Sequence, residues 1–458
     1  MINGGPEYVL DAAKRIHLVG VCGVSMRALA EVLAAAGCRV TGSDLSGDGA
    51  ERLREAGVEV FTGHDGAYVT EGIDAVIRSA AIGDDNPEIE AARALGIPVI
   101  GRAKAWGRLM RRYKQAVCVA GTHGKTTTTG MTAHIAVAAG RDPDVMLGGE
   151  LPLLNGGGHR TGGGELMVFE ACEYRDSFLS FSPTVAVILN VEPDHLDYFS
   201  GIDSIIKSFA AFAALTPEKH GAAVVNGDDQ NALKAVEELQ GRRVIRFGFG
   251  EHNHVRIARF DGSEIEIWAD GKPYAAAALQ ASVPGRHNAL NACAAAAAAY
   301  AINIPGEYVK AGLEAFTGAA RRFERVGAYN GADLADDYAH HPTEAAVTLK
   351  TARGMGYKRV VCAFQPHTYT RTSALFEEFK EALREADALY ITEIYAAREK
   401  PTGISAKMLA DAIPGAVFCP TLDELRDALA DTARPGDLII TMGAGDISRV
   451  GRQLTVNS

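Results

Sequence analysis

Val119-Ala120-Gly121-Thr122-His123-Gly124-Lys125-Thr126-Thr127-Thr128 is the stretch on which the reading of the whole chain turns. It follows an apolar, strand-like segment, Gln115–Ala120, and opens a helix-like segment over 126–139. A glycine turn between a strand and a helix aims backbone N–H groups at one point, at the positive end of a helix, and so cradles phosphate oxygens. Lys125 reaches the terminal phosphates, and the Thr126 hydroxyl can ligate Mg2+. The spacing is not the usual G-x-x-x-x-G-K-S/T, which would require glycine where Val119 stands; the loop is the shorter G-T-H-G-K-T. A plain glycine turn with a surface lysine is the competing reading. The strand before and the helix after favour a nucleotide loop, and imply that the chain uses ATP.

Working outward, strands and helices alternate on both sides of this loop. Before it, Arg15–Val19, 39–42, 74–78 and 98–100 read as strands, with helices over 24–36, 87–95 and 104–112. After it, Leu166–Glu170, 185–190 and Ala222–Asn226 are continuous apolar strands of a buried parallel sheet. Between 255 and 279 the pattern changes to alternation, with Asp261-Gly262 and Asp270-Gly271 as hairpin turns. A helix over 288–301 follows. A third α/β unit starts near Gly318, with strands Arg359–Phe364, Ala388–Thr392 and 438–441 and helices over 343–353, 373–386 and 422–430. At roughly 150 residues per domain, the 458 residues suggest three domains. The boundaries fall at 1–113, 114–318 and 319–458.

Composition narrows the class. The net charge is −11 without a basic stripe, which argues against nucleic acid and anionic membrane as partners. Seven scattered cysteines with no C-x-x-C read as reduced thiols in a cytoplasmic protein. The N-terminus does not read as a signal peptide. The alanine-rich stretch ending at Ala301 is the nearest approach to a membrane span, but polar His287-Asn288 and Pro305 flank it.

Six further motifs carry chemistry. Gly20-Val21-Cys22-Gly23-Val24-Ser25 is a glycine turn after a strand, and Asp44 follows 24 residues later. That resembles a dinucleotide fingerprint, with Cys22 and Ser25 where glycines are expected; another nucleotide diphosphate, NAD, or pure packing would each account for it. Glu170 and Glu173 stand at a strand end, where open α/β sheets bind ligands, and Glu173 is the better cation ligand. Asn190-Val191-Glu192-Pro193-Asp194-His195-Leu196-Asp197 crowds oxygens and one imidazole into a turn, read as a second Mg2+ site or a helix-capping turn. Asn288 and Asn291 share a helix face, either reading a base edge or capping. Asp336-Asp337-Tyr338-Ala339-His340-His341 gathers acids and histidines at a strand end, and adjacent histidines point apart, which argues against a transition-metal site. Phe364-Gln365-Pro366-His367-Thr368-Tyr369-Thr370-Arg371 places at a strand end an arginine able to grip a carboxylate.

In their order along the chain these motifs resemble the Mur ligase family. The telling pieces are Gly121-Thr122-His123-Gly124-Lys125-Thr126-Thr127, His287-Asn288 with Asn291, Arg321-Arg322-Phe323-Glu324, Asp336-Asp337-Tyr338 with His340-His341-Pro342-Thr343-Glu344, and Phe364-Gln365-Pro366-His367. The resemblance implies an α/β protein of three domains: an N-terminal Rossmann-like UDP-binding domain, a central P-loop ATPase domain with a small antiparallel sheet, and a C-terminal Rossmann-like amino-acid domain. Among the family, the F-Q-P-H-x-Y-T-R-T run favours members that join L-alanine to UDP-N-acetylmuramate over those that attach a tripeptide.

That resemblance carries an expected site. Lys125, Glu173 and His195 are expected to be catalytic, with Thr126, Glu173 and His195 holding two Mg2+ ions. Gly121, Thr122, His123, Gly124, Lys125, Thr126, Thr127, Asn288, Asn291, Arg322 and Asp337 match the ATP positions. Gly20, Gly23, Asp44, His64 and Ser79 match the UDP-sugar positions, and Tyr338, His367 and Arg371 those that select L-alanine. ATP, UDP-N-acetylmuramate and L-alanine are the implied small-molecule partners of a monomer or homodimer. The chain departs from the commonest pattern at Cys22, Ser25 and Arg27, and at Thr368, where many members carry arginine.

Overall fold

The alternating segments condense into three sheets in the computed structural model, which describes residues 6–155, 157–397 and 399–456. The first sheet holds β1 (Arg15–Val19), β2 (Arg39–Asp44), β3 (Glu59–Thr62), β4 (Ala75–Arg78) and β5 (Val99–Gly101), all parallel in the order β3-β2-β1-β4-β5. The order reverses on either side of β1, so the turn after β1 faces a crevice at the carboxyl ends of the strands, where such sheets bind ligands. β3 is absent from the sequence pattern because its residues are half-exposed at the sheet edge and form no apolar run.

The central sheet has ten strands. They are β6 (Gln115–Ala120), β7 (Asp144–Leu151), β8 (Gly157–Arg160), β9 (Leu166–Glu170), β10 (Val185–Ile188), β11 (Ala222–Asn226), β12 (Arg243–Gly248), β13 (Val255–Phe260), β14 (Glu264–Ala269) and β15 (Lys272–Ala278). β6 lies between β10 and β9. Its Val117 and Val119 enter one apolar cluster and Ala116, Cys118 and Ala120 another, so both faces of the sheet are covered. The alternating 255–279 region forms the antiparallel strands β13, β14 and β15. These continue the main sheet through the pairs Phe247–Val255 and Gly248–Arg256.

The alanine-rich segment becomes the helix Arg286–Ala301, in which Ala292 to Ala299 are fully buried. Small side chains let it lie close against the helix Lys125–Ala138 in the core. Among the described residues no helix is long and apolar enough to cross a membrane. All seven cysteines are free, and five are buried.

The third sheet contains β16 (Glu324–Tyr329), β17 (Ala332–Asp337), β18 (Arg359–Phe364), β19 (Ala388–Thr392), β20 (Val417–Cys419) and β21 (Asp437–Met442), in the order β16-β17-β21-β18-β19-β20. The helix expected over 373–386 is two helices, Tyr369–Ala374 and Phe376–Leu383, because Leu375 leaves helical geometry at φ −116°. The first and central sheets share one apolar cluster, in which Trp106 of the helix Arg102–Met110 packs edge-on against Phe169 at 5.1 Å.

Candidate functional site

Register brings the charged strand ends together. β6 pairs with β9 so that Val119 lies opposite Glu170, and with β10 so that Ala120 lies opposite Ile188. The loop leaving β6 therefore sits between the carboxylate pair Glu170/Glu173 and the turn beginning at Asn190. Asn190 ties it down: its side-chain oxygen accepts from His123 N at 2.8 Å, and its amide donates to the His123 carbonyl at 3.2 Å. Gly124 adopts φ 80°, and a Cβ there would stand 2.5 Å from Asn291 Oδ1, so the loop is pressed against the start of the alanine-rich helix. Asn291 Nδ2 in turn donates to Asn288 Oδ1 at 3.1 Å. The helix Lys125–Ala138 starts with no side-chain cap and no acid in its first turn, leaving its amides turned to the loop.

Lys125 folds back over this loop. Its ammonium donates to the carbonyls of Gly121 and Thr122 and to Glu173 Oε1 at 3.3 Å. Burial works against the ammonium, but Glu173, helped by Cys172 and Glu170, outweighs it and holds the Lys125 pKa above the ordinary lysine value. Thr126 turns its hydroxyl to Glu170 at 2.9 Å rather than to Glu173, and Glu170 also accepts from Gly148 N. Glu173 is 3 % exposed, and its Oε2 accepts no hydrogen bond. His195, held at φ 52°, brings its Nε2 to 3.7 Å from Glu173 and packs on Tyr174. Ligand atoms of Glu173, Asp194 and His195 all lie within 4.8 Å of one another. A buried carboxylate oxygen outside the hydrogen-bond network, 3.2 Å from the Lys125 ammonium and beside a second acid and an imidazole, belongs to a donor set that fits a hard divalent cation.

The third sheet closes on this group. Arg371 gives Nε and Nη2 to Asp194 Oδ1 at 3.1 and 2.9 Å, and its Nη1 lies 3.2 Å from His367 Nδ1. Burial would raise the Asp194 carboxyl, but Arg371 above all, with His195, outweighs it and holds it well below the usual carboxylate range. Arg371 thus spends much of its guanidinium on the central unit. Thr343 Oγ1 donates to Glu192 at 2.7 Å, and Glu344 stands 3.4 Å from His123. The two adjacent histidines do face apart: His340 bonds the Tyr338 carbonyl, while His341 meets the Pro193 carbonyl and packs on His123. Burial pushes His340 down to about 3 and His367 to about 4, so both rings are neutral.

Arg322 lies over the Tyr338 ring at 5.3 Å and 3.5 Å from Glu344. Asp337 accepts from Phe323 N and Ala339 N, and burial raises its carboxyl to about 6. A cleft of about 1270 Å³ opens beside the cluster, walled by Arg102, Lys104, Arg175, His195, His367 and Arg371 among others.

At the first sheet, Gly20 and Val21 donate to the Ser43 carbonyl, and Cys22 N donates to Asp44 Oδ2 at 2.9 Å. Asp44 therefore shapes the glycine turn. Gly20 sits against Ser79, with only 3.1 Å available to a Cβ. Ser25 accepts from Trp106 Nε1 at 3.1 Å, so its bulk is turned to the domain interface. Arg27 lies over Gly49. The sequence pattern did not single out Glu192, Asp194 or Glu344 as partners, nor a buried acid, Glu88, that bonds both His17 and His64. The available signal was polar His17 inside the apolar strand Arg15–Val19.

Comparison with known proteins bears on this geometry. Residues 15–114 match the model described as the Mur ligase family catalytic domain, 119–299 the Mur ligase middle domain, and 321–445 the Mur ligase glutamate ligase domain. A UDP-N-acetylmuramate–L-alanine ligase of Acetivibrio thermocellus is 43% identical over 454 residues, covering 96% of this chain and 95% of that protein. Another of the same name from Caldanaerobacter subterraneus is 42% identical, covering 98% of each. The crystal structure of a UDP-N-acetylmuramate–alanine ligase from Thermotoga maritima superimposes with a TM-score of 0.79 at 29% identity, covering 97% of this chain and 98% of that one.

Proposed function

The chain belongs to the Mur ligase family, and from that premise we propose that it joins L-alanine to the carboxylate of UDP-N-acetylmuramate at the expense of ATP, the first amino-acid addition in peptidoglycan precursor synthesis. The domains in this reading are 1–113 for the UDP-sugar, 114–318 for ATP and catalysis, and 319–458 for the amino acid. What supports it most is the convergence of Lys125, Glu173, Asp194 and His195 at one end of the central sheet, beside a cleft reached by Arg371 of the third sheet.

The muramoyl carboxylate attacks the γ-phosphate, giving an acyl phosphate and ADP. The alanine amine attacks that acyl carbon, and the tetrahedral intermediate collapses to the amide with release of phosphate. Phosphoryl transfer asks a protein mainly for position and charge neutralisation. The uncapped amides of the helix Lys125–Ala138 and the loop Gly121–Thr127 hold phosphate oxygens in this scheme, and the Lys125 ammonium moves from the loop carbonyls to the terminal phosphates. Thr126 and Glu173, with Glu170 alongside, would hold one Mg2+, and His195 a second. Bound there, Mg2+ offsets the charge of the phosphates and lets two anionic reactants meet. Asn288, Asn291, Arg322 and Asp337 border ATP, while Tyr338, His367 and Arg371 receive alanine. Closure of the third unit through Arg371–Asp194 excludes water from the acyl phosphate.

The test is phosphate release from ATP and Mg2+ with UDP-N-acetylmuramate, with and without L-alanine. Release that requires both, and that exceeds release with a tripeptide, supports the proposal. No release with any amine tried, despite ATP binding, defeats it.

A further inference from the structure

The first sheet carries a buried polar network of which the ligase scheme uses only His64. Glu88, near the start of the helix Pro87–Ala94, is 0 % exposed and accepts hydrogen bonds from three directions. His17 Nε2 of β1 lies 2.6 Å from Oε2, and His64 Nδ1, just beyond β3, lies 2.6 Å from Oε1. The Ser43 hydroxyl of β2 donates to both oxygens, at 2.7 and 2.8 Å. The second nitrogen of His17 is taken by Thr41 Oγ1 at 2.7 Å. Burying a carboxylate with two imidazoles is costly for a core that an apolar residue would fill more cheaply. The network has one exit. The His64 side chain is 12% exposed, and its Nε2 makes no hydrogen bond among the described residues.

Topology says what this exit faces. The phosphate-binding turn follows β1, Asp44 ends β2, and His64 follows β3, one strand further out in the order β3-β2-β1. Two strand spacings, about 10 Å, separate the turn from His64, which is the direction a nucleoside diphosphate runs from its phosphates to its base. With Glu88 as the acceptor of the 2.6 Å contact, His64 Nδ1 is its donor. In the neutral ring Nε2 then carries the lone pair.

Resting on the UDP-sugar reading of this unit, we propose that Glu88, acting through His64, is a positioning residue that presents an imidazole acceptor to the nucleotide base and so selects uracil, whose N3 bears a hydrogen, over cytosine, whose N3 bears a lone pair. Glu88 and His17 touch no ligand. They set which nitrogen of His64 holds the proton, and Ser43 couples the same carboxylate to the glycine turn through its backbone carbonyl.

The experiment is calorimetric titration of the full chain with UDP and with CDP, beside steady-state kinetics on UDP-N-acetylmuramate. The unsubstituted protein is expected to favour UDP by at least about tenfold, the discrimination carried by one buried hydrogen bond. In Glu88→Leu the carboxylate acceptor at Nδ1 is gone, so the proton is no longer held there and the ring can carry it on Nε2. The UDP/CDP ratio should then fall toward or below one, with KM for the UDP-sugar raised and KM for ATP unmoved. His64→Gln, at a partly exposed position, presents a donor and an acceptor and should bring the ratio near one even if the buried variant fails to fold. Equal loss of UDP and CDP affinity in both variants, with the ratio kept, overturns the proposal and leaves Glu88 a structural residue. Failure of the unsubstituted protein to bind either nucleotide instead overturns the UDP-sugar reading on which it stands.

Discussion

Replacing Glu344 with Gln should release His123 from a charge clamp that ties the third unit to the loop Gly121–Thr127. Glu344 lies in the first turn of the helix Pro342–Arg353, forms a capping box with His341, and stands 3.4 Å from His123 Nδ1. Glu192 faces the other ring nitrogen at 3.4 Å. Burial alone would lower His123, but the two carboxylates hold it up at about 9, against an ordinary 6.5. That displacement of roughly 2.5 pH units corresponds to about 3 kcal/mol. Because the folded-state value is raised, this stabilisation is complete below pH 6.5 and is lost as pH rises through about 9. Because the two carboxylates also offset the burial penalty, removing one should cost at least half of it, at least roughly 1–2 kcal/mol, and lower the pH at which the ring titrates by more than about one unit. The assay is an NMR titration of the His123 ring, with urea midpoints at pH 6.5 and 9 for both proteins. The unsubstituted protein should lose stability across that interval, and Glu344→Gln should lose less. A His123 that titrates near 6.5 before substitution, or at the same pH after it, would refute the clamp.

Three other substitutions probe separate links. Lys125→Ala should abolish phosphate release while leaving UDP-sugar binding measurable by calorimetry; lost sugar binding would contradict the assignment of the two sites to separate units. Asp194→Asn breaks an ion pair that is 10% exposed on each side, a loss of about 3–5 kcal/mol when one charge is left behind. Lower thermal stability and a raised KM for L-alanine are expected, and unchanged values for both would make the pair incidental. At Gly107 an added Cβ would stand 1.8 Å from the Ser180 carbonyl, so Gly107→Ala must push the helix Arg102–Met110 off the central unit at a cost of at least about 1–3 kcal/mol. A thermal melt that does not move would show that this contact is looser than drawn.

Much of the architecture was legible along the chain. The continuous apolar strands β9, β10 and β11 announce a sheet buried on both faces, and the Asp-Gly turns announce the hairpins of β13 to β15. β3, β7, β8, β12, β16 and β20 were not legible. They are short, half-exposed or glycine-bearing, and are strands because a neighbour supplies backbone partners, which side-chain pattern does not display. Thr126 was read beside Glu173, whereas in the folded chain its hydroxyl meets Glu170, three residues earlier and one β-register step from the loop.

The sequence by itself determined the glycine loop between β6 and the helix Lys125–Ala138, the strand-end placement of Glu173 and His195, and the family, because a glycine turn between a strand and a helix is a local geometry written in adjacent residues. Only the tertiary structure decided the electrostatic partners. Arg371 and Asp194 are 177 positions apart, Thr343 and Glu192 151, and Glu88 and His17 71. Each pair is made by the way sheets stack and helices dock. The burial that accompanies docking removes water and turns such distant pairs into the groups that set the protonation of His123 and the reach of Arg371.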